Sequence, residues 1–306
     1  MYQRSARGIF RQAAKKPLIG DRVTLSEIDD KNKTAAIVEI APRKSELRRP
    51  AVANIDKLIF VAASSNPKPD LLLLDKGLIS AQIIKVEFVL MISKSDQEPE
   101  YAESMVEQYS PAVKCFITSA KNLESFKPVI EYIDGATSVI AGQSGAGKST
   151  FINAVAGENI MDTGNLSEKT GRGRHTTRHS ELFKVTNGFK NTTFIIDSPG
   201  FSMLEADSIE PRYLQNYYPE MYNNEGICRF QDCSHTGEPG CFAGKLIDEG
   251  KMHPARLQRY SVIYKELNEK YKFDLPYKVK NFMDARSEFM NEAINKTNSR
   301  LLPLSL

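Results

Sequence analysis

Apolar and polar positions first alternate at residue 22. In RVTLSEIDDKNKTAAIVEI, residues 22–40, Val23 and Leu25 alternate with polar neighbours, DDKNK is a turn cluster and AAIVEI is a second apolar run. Two alternating runs joined by a polar turn predict a β-hairpin. A basic loop, PRKSELRRP, follows and closes on Pro50. From Asn54 the pattern changes. IDKLIFVAAS is a continuous apolar run, NPKPD breaks it, and LLLLDKGLISAQII has helical length with Asp70 placed as its N-cap. KVEFVLMI is the next strand, and the alternation continues through KCFITSAK (114–121), TSVIAGQSGAGKST (137–150) and TTFIIDSPG (192–200). Apolar strands separated by helices predict an α/β domain with a mainly parallel sheet. Strand signals fade after about residue 205, and residues 251–300 are charged, helically spaced and free of glycine. The pattern divides the chain into a small β module (1–49), an α/β domain (50–205) and a mainly helical domain (206–306).

Composition adds two things. The chain has 306 residues, 41% hydrophobic and 26% charged, near globular averages. It has no apolar run long enough for a membrane helix. Its net charge of +3 hides an asymmetry, because residues 1–50 carry 12 Lys and Arg against 6 Asp and Glu. A basic segment on a near-neutral body points to an anionic partner, nucleic acid being the commonest, although a solvated basic surface has the same charge. Four cysteines in a chain this long do not make a disulfide scaffold, which points to a reducing compartment. Cys115 lies alone in an apolar strand and reads as a small buried hydrophobe.

The candidate chemistry begins with GQSGAGKST. Gly142, Gln143, Ser144, Gly145, Ala146, Gly147, Lys148, Ser149 and Thr150 fit G-x-x-x-x-G-K-[ST], with a strand before and a helix after. Backbone amides of such a loop close around a β-phosphate, Lys148 bridges β- and γ-oxygens, and the Ser149 hydroxyl binds Mg²⁺. FIIDSPG supplies a strand-end carboxylate, Asp197, and Gly200 offers an amide to a γ-phosphate. Between them KTGRGRHTTR (169–178) has no apolar anchor and is expected to be a mobile switch loop. Thr177, or its neighbour Thr176, would complete the Mg²⁺ shell there.

Two strand-end motifs precede this set. Ser93-Lys94-Ser95-Asp96 follows KVEFVLMI, and Ser119-Ala120-Lys121 ends KCFITSAK. Asp96 would accept hydrogen bonds from guanine N1–H and its exocyclic amine, a donor pair that adenine lacks. Lys94 would lie over the purine face. Ser93 stands where Asn or Thr is usual and is expected to weaken support of the loop. Base-reading motifs therefore come first, then phosphate loop, switch loop and DxxG: a complete GTPase set in circularly permuted order. The segment after DxxG then runs directly into the C-terminal region, so what hangs there is coupled to the γ-phosphate.

Further on, Cys228, Cys233, His235 and Cys241 form C-x4-C-x-H-x5-C. Three thiolates and one imidazole make a closed tetrahedral zinc set, which predicts a structural rather than a catalytic ion.

The order SKSD, TSAK, GQSGAGKST, DSPG and the zinc spacing, with PLIGDRV, PRKSELRRP and ANID upstream, resembles the bacterial ribosome small-subunit-dependent GTPase family, RsgA/YjeQ. The resemblance spans nearly the whole chain. It implies an N-terminal OB-fold with rRNA-binding character, a permuted GTPase domain and a zinc-containing helical domain. It also implies a cytoplasmic factor for late assembly of the 30S subunit; a monomer without membrane contact is expected. The strands before Gly20-Asp21-Arg22-Val23 look short for a full five-stranded OB barrel. Phe201 stands where many GTPases carry the glutamine that orients the attacking water. His175 is the alternative candidate, with a plain loop residue or RNA contact as the competing reading. Phe201 taken alone favours a second function, an rRNA-binding sensor of GTP or GDP that hydrolyses little. An ATP-driven motor is disfavoured by Asp96 and Ser119-Ala120-Lys121.

Overall fold

The computed structural model describes residues 3–6 and 16–272, apart from 30, 33, 48–49, 157–179, 198–205, 207–208 and 224–225. The expected hairpin is there. Strands β2 (Val23–Asp29) and β3 (Thr34–Ile40) pair antiparallel, and the Asp29 carboxylate caps the turn by accepting from the amides of Lys31 and Asn32. Strand β1 (Gln3–Ala6) adds to β3 in parallel, giving the order β1-β3-β2. A two-stranded pair, β4 (Glu46–Leu47) and β5 (Val52–Ala53), completes the β module.

The basic loop is less available than its charge suggests. Arg43 donates to both Asp21 oxygens, at 2.8 and 2.9 Å, and to Glu46, while Lys44 pairs with Asp56. The Arg43 and Asp21 side chains are only 8% and 1% exposed. Arg43 is thereby held inside the module, while Lys44, with 47% of its side chain exposed, pairs with Asp56 at the surface.

Six strands form the central sheet: β6 (Lys57–Ala63), β7 (Glu87–Ser93), β8 (Lys114–Ile117), β9 (Thr137–Ala141), β10 (Glu181–Val185) and β11 (Thr193–Asp197). Their order is β10-β11-β9-β6-β7-β8, parallel except for the β10–β11 hairpin at one edge. The inner strands β6, β7, β9 and β11 are buried at nearly every position because both faces are covered, whereas the edge strands β8 and β10 are partly exposed. Leu58, Phe60 and Ala62 point to one side, packed with α1 (Leu71–Ile83) and α2 (Pro99–Tyr109). Ile59, Val61 and Ala63 point to the other, packed with α3 (Lys127–Ile133) and α4 (Lys148–Ala156). Asp70 caps α1 as expected, accepting from the amides of Leu72 and Leu73 at 2.9 and 3.0 Å. Cys115 packs partly buried against the first face, and burial pushes its thiol up to about 12.

The C-terminal region has its own core. A 3₁₀ turn (Pro211–Tyr217), α5 (Pro219–Tyr222), α6 (Phe242–Asp248) and α7 (residues 254–272) enclose Leu214, Tyr218, Leu246, Tyr260 and Ile263. Ile79 of α1 joins this core, while Leu74 and Leu78 of the same helix join the sheet core. A helix buried from two sides needs apolar residues around most of its surface, which is what LLLLDKGLISAQI supplies. Among the described residues no helix is long and apolar enough to cross a membrane.

Candidate nucleotide site and metal cluster

The loops leaving β6, β7 and β9 and the carboxylate that ends β11 lie at the carboxyl end of the sheet, where open α/β sheets bind ligands. The β9 exit carries residues 142–147 and leads into α4 at Lys148. Gly142 takes φ +135°, and a Cβ there would stand 2.2 Å from the Val61 carbonyl oxygen on β6. No side chain fits so close to a neighbouring backbone. Gly145 and Gly147 also have positive φ, at +77° and +99°. Lys148 Nζ donates back to the carbonyls of Gly142 and Gln143, 2.8 Å from each. Burial lowers its pKa, and Asp197 opposes that shift. Asp197 is buried at the end of β11, in register with Ile140 of β9, which places it beside the phosphate loop.

The base-reading loops lie next to it. Ser93 is 7% exposed, and its hydroxyl donates to the Ala146 carbonyl within the phosphate loop. The serine, standing where Asn or Thr is usual, thus ties the base-reading loop to the phosphate loop. Lys94 adopts φ +58° and donates to the Asn66 carbonyl at 2.6 Å. Ser95 N–H donates to the Thr118 carbonyl, which joins the two loops. Asp96 accepts from Ser119 Oγ at 2.6 Å and pairs with Lys121 Nζ at 2.9 Å. The Ser119 hydrogen bond and then Lys121 hold the Asp96 carboxyl below its ordinary range. The backbone at Ser119, Ala120 and Lys121 is pinned by Ser125, whose hydroxyl bonds the Ser119 amide.

One participant was not anticipated. The NPKPD segment reaches the phosphate loop: Asp70 N–H donates to Gln143 Oε1 at 3.0 Å, and Pro67 lies 3.4 Å from where a Cβ on Gly145 would stand. Its proline-rich break after a buried strand was the signal. Gly200, Phe201, His175, Thr176 and Thr177 lie outside the described residues, while Ser144, Ser149 and Thr150 fall within the loop and the first turn of α4.

Cys228, Cys233, His235 and Cys241 bring their ligand atoms within 4.8 Å of one another and could hold a metal ion such as zinc. His235 Nδ1 is 3.5, 3.7 and 3.3 Å from the sulfurs of Cys228, Cys233 and Cys241. A tetrahedral zinc with ordinary bond lengths sets nitrogen–sulfur separations of about 3.5 Å. The other ring nitrogen, Nε2, meets Gln215 Oε1. An amide oxygen accepts there, so Nε2 carries the proton and Nδ1 turns its lone pair toward the thiols. Gln215 comes from the 3₁₀ turn, remote from the cysteine spacing, and no motif signalled it.

A phosphate loop, a strand-end aspartate and guanine-reading loops on one sheet, with the guanine-reading strands earlier in the chain, define a circularly permuted P-loop GTPase. The family description RsgA GTPase matches residues 40–207. The chain is 38% identical over 275 residues to the small ribosomal subunit biogenesis GTPase RsgA of Agathobacter rectalis, covering 89% of this chain and 90% of that protein. It is 40% identical over 271 residues to the protein of the same name from Ruminiclostridium cellulolyticum, covering 88% and 87%. Among solved structures, YjeQ from Thermotoga maritima matches with TM-score 0.68 and 30% identity, covering 86% of this chain and 89% of that one. YloQ, a circularly permuted GTPase, matches with TM-score 0.65 and 27% identity, covering 88% and 87%. The chain belongs to the RsgA/YjeQ family of GTPases, GTP hydrolases of small ribosomal subunit biogenesis.

Proposed function

We propose that this protein binds the small (30S) ribosomal subunit during late assembly and hydrolyses GTP to GDP and phosphate there. The subunit stimulates hydrolysis, and hydrolysis releases the protein. The observation that carries this reading is the permuted site itself. Asp197 ends the last strand of the sheet, and the chain next enters the C-terminal core at Ala206 and Ile209. A change around the γ-phosphate therefore acts on a segment whose far end is buried in the C-terminal module. The names of the relatives, which span nearly the same length, support the small subunit as partner.

Guanine is read by Asp96, held by Ser119, with Lys94 against the base. The phosphates lie on the amides of residues 142–150, with Lys148 released from its own loop carbonyls to meet them. Mg²⁺, when bound with GTP, would be held by Ser149 and Thr177 and would neutralise phosphate charge. Gly200 and His175 are proposed to contact the γ-phosphate and the attacking water. Zinc, one per chain, occupies the Cys228, Cys233, His235 and Cys241 set as a structural ion, since four protein ligands leave no open position. The units 1–49, 50–205 and 206–306 serve as the RNA-binding module, the GTPase domain and the zinc-binding helical domain, in the cytoplasm where ribosomes are assembled.

Steady-state GTP turnover with 30S subunits, 50S subunits or neither tests the proposal. Stimulation of one to several decades by 30S alone is expected, because docking would hold catalytic groups in the reacting geometry. Turnover unchanged by 30S, with tight GTP and GDP binding retained, would favour the sensor reading that Phe201 suggests. Turnover raised only by 50S would overturn the partner assignment.

A further inference from the structure

Asp75 is charged, central in an apolar helix and 0% exposed. Its carboxylate joins α1 to the C-terminal module. Oδ1 lies 2.5 Å from Arg256 Nη1 and accepts from Tyr109 at 2.6 Å, and Oδ2 accepts from Arg259 at 2.9 Å. Arg256 is also 0% exposed; it donates to both Glu220 oxygens, at 2.8 and 3.2 Å, and lies over the rings of Tyr109 and Tyr218. Tyr218 packs edge-on against Tyr260, whose ring faces His235 of the metal cluster at 6.4 Å.

The other end of α1 touches the phosphate loop. Asp70 caps the helix with its side chain and gives its own amide to Gln143 Oε1. The Gln143 carbonyl is one of the two that Lys148 occupies. When Lys148 moves to a phosphate, that carbonyl keeps the Ala146 amide, at 3.2 Å, and loses the lysine, so the residue whose side chain holds the helix cap is bonded differently in the two states. Leu74 and Leu78 fix α1 in the sheet core, and Ile79 fixes it in the C-terminal core. A shift at its cap is passed on by a stiff element.

We propose that Asp75 is a positioning residue through which the state of the phosphate loop sets the seat of the C-terminal module, by the route Gln143, Asp70, α1, Asp75 and Arg256. It rests on reading residues 142–150 as the phosphate site. Two features favour a switchable joint over a merely stable one. A buried ion network is a poor way to gain stability compared with apolar packing, but it fixes discrete geometries. The network is also incompletely satisfied, since Tyr218 OH and Arg259 Nη2 are buried without a hydrogen-bond partner. A second arrangement can gain what this one leaves unmade.

Amide hydrogen exchange on the full-length protein tests this, with no nucleotide, saturating GDP or a non-hydrolysable GTP analogue. In the wild type, nucleotide should change exchange rates in residues 211–222 and 254–272 by at least about fivefold. Asp75→Asn keeps the shape and removes the charge; it should abolish the nucleotide-dependent difference while GDP affinity, measured separately, stays at the wild-type value. Gln143→Ala leaves the ion network intact and cuts the route at the loop, so at saturating GDP it too should lose the difference. An exchange pattern insensitive to nucleotide in the wild type, or fully sensitive in Gln143→Ala, overturns the route. Loss of GDP binding in Asp75→Asn also overturns it, since Asp75 would then serve the nucleotide fold. A wild-type protein that binds no GDP would overturn the phosphate-site reading itself, which is distinguishable from every other outcome.

Discussion

Ser93 Oγ and the Ala146 carbonyl oxygen, 53 residues apart in the chain, are hydrogen-bonded at the end of β7. The bond ties the guanine-reading loop to the phosphate loop. Ser93→Ala leaves a buried carbonyl without its donor, at a cost of about 1–3 kcal/mol. The expected outcome is loss of GTP and GDP affinity by about tenfold or more, to the same extent for both, because the bond senses neither γ-phosphate nor base. Ser93→Thr retains the hydroxyl and should bind like the wild type. Titration calorimetry with both nucleotides reads this; a selective loss of GTP would show that Ser93 acts elsewhere.

Gly142 tests the phosphate loop from the backbone side. Its φ of +135° and the Val61 oxygen at 2.2 Å from a built Cβ leave no relief by side-chain movement. Gly142→Ala should lower stability by about 3 kcal/mol or more, the range for strained backbone added to a backbone clash. Thermal unfolding should fall accordingly, and GDP should no longer stabilise the protein. A variant that unfolds at the wild-type temperature and still binds GDP would show that the loop can move away from β6.

Much of this architecture was legible because the signals were local. The phosphate loop, Asp197, and the Asp96 and Lys121 motifs each sit at a strand end, and a strand end is marked by a change from apolar to polar residues. Asp70 was legible as a cap for the same reason. What escaped depends on which distant segments meet. Arg43 reads as a cation for an outside partner, yet it faces Asp21 across the β module. Asp75 belongs to no motif in LLLLDKGLISAQI, and its burial follows only from the second core over α1. Gln215 has no spacing relation to the cysteines, because it reaches His235 only through the fold of the 3₁₀ turn. His175, Thr177 and Gly200 lie outside the described residues, so for them the motif remains the whole argument.

Gln215 and Cys233 separate metal binding from its support. Cys233→Ser should abolish zinc binding, measured by elemental analysis, and make residues 211–272 more sensitive to proteolysis while GDP still binds. Gln215→Leu should weaken zinc by about 10–100-fold, as removal of a ligand-orienting partner does. Competition with a chromogenic chelator gives the affinity. Full cysteine content with no bound zinc in the wild type would refute the zinc assignment.

Glu238 sets an acid limit for the same loop. Burial raises its pKa, but hydrogen bonds from Ser234 and Thr236 outweigh this and bring it from 4.5 to about 2. A folded pKa below the unfolded one means the carboxylate stabilises the fold fully above pH 4.5 and loses that contribution as pH falls from 4.5 toward 2. The wild type should therefore exceed Glu238→Gln in thermal stability by a constant margin from pH 8 to 5, shrinking below pH 4.5. Comparing the two proteins at each pH cancels the acid loss of metal that both share. A margin that grows on acidification would contradict the hydrogen-bonded carboxylate.

The last test concerns the base. Asp96 presents one oxygen to Ser119 and the other to Lys121, whose side chain is 78% exposed and free to leave. Guanine brings two N–H donors to this carboxylate, so Lys121 yields its position and Ser119 keeps the orientation. Asp96→Asn replaces an acceptor with a donor amide facing those N–H groups. GTP affinity should fall by about 1.5–3 kcal/mol or more, the worth of hydrogen bonds to a charged acceptor. Xanthosine triphosphate, whose C2 carbonyl can accept from the new amide, should gain. Because Ser119 and Lys121 depress the Asp96 pKa below 3.8, the carboxylate stays charged through neutral pH. Its contribution to GTP binding should be flat from pH 8 to 5 and lost only as pH falls below 3.8. Competition between GTP and xanthosine triphosphate on both proteins measures the switch. Undiminished GTP preference in Asp96→Asn would remove Asp96 from the base site and leave guanine recognition to backbone groups.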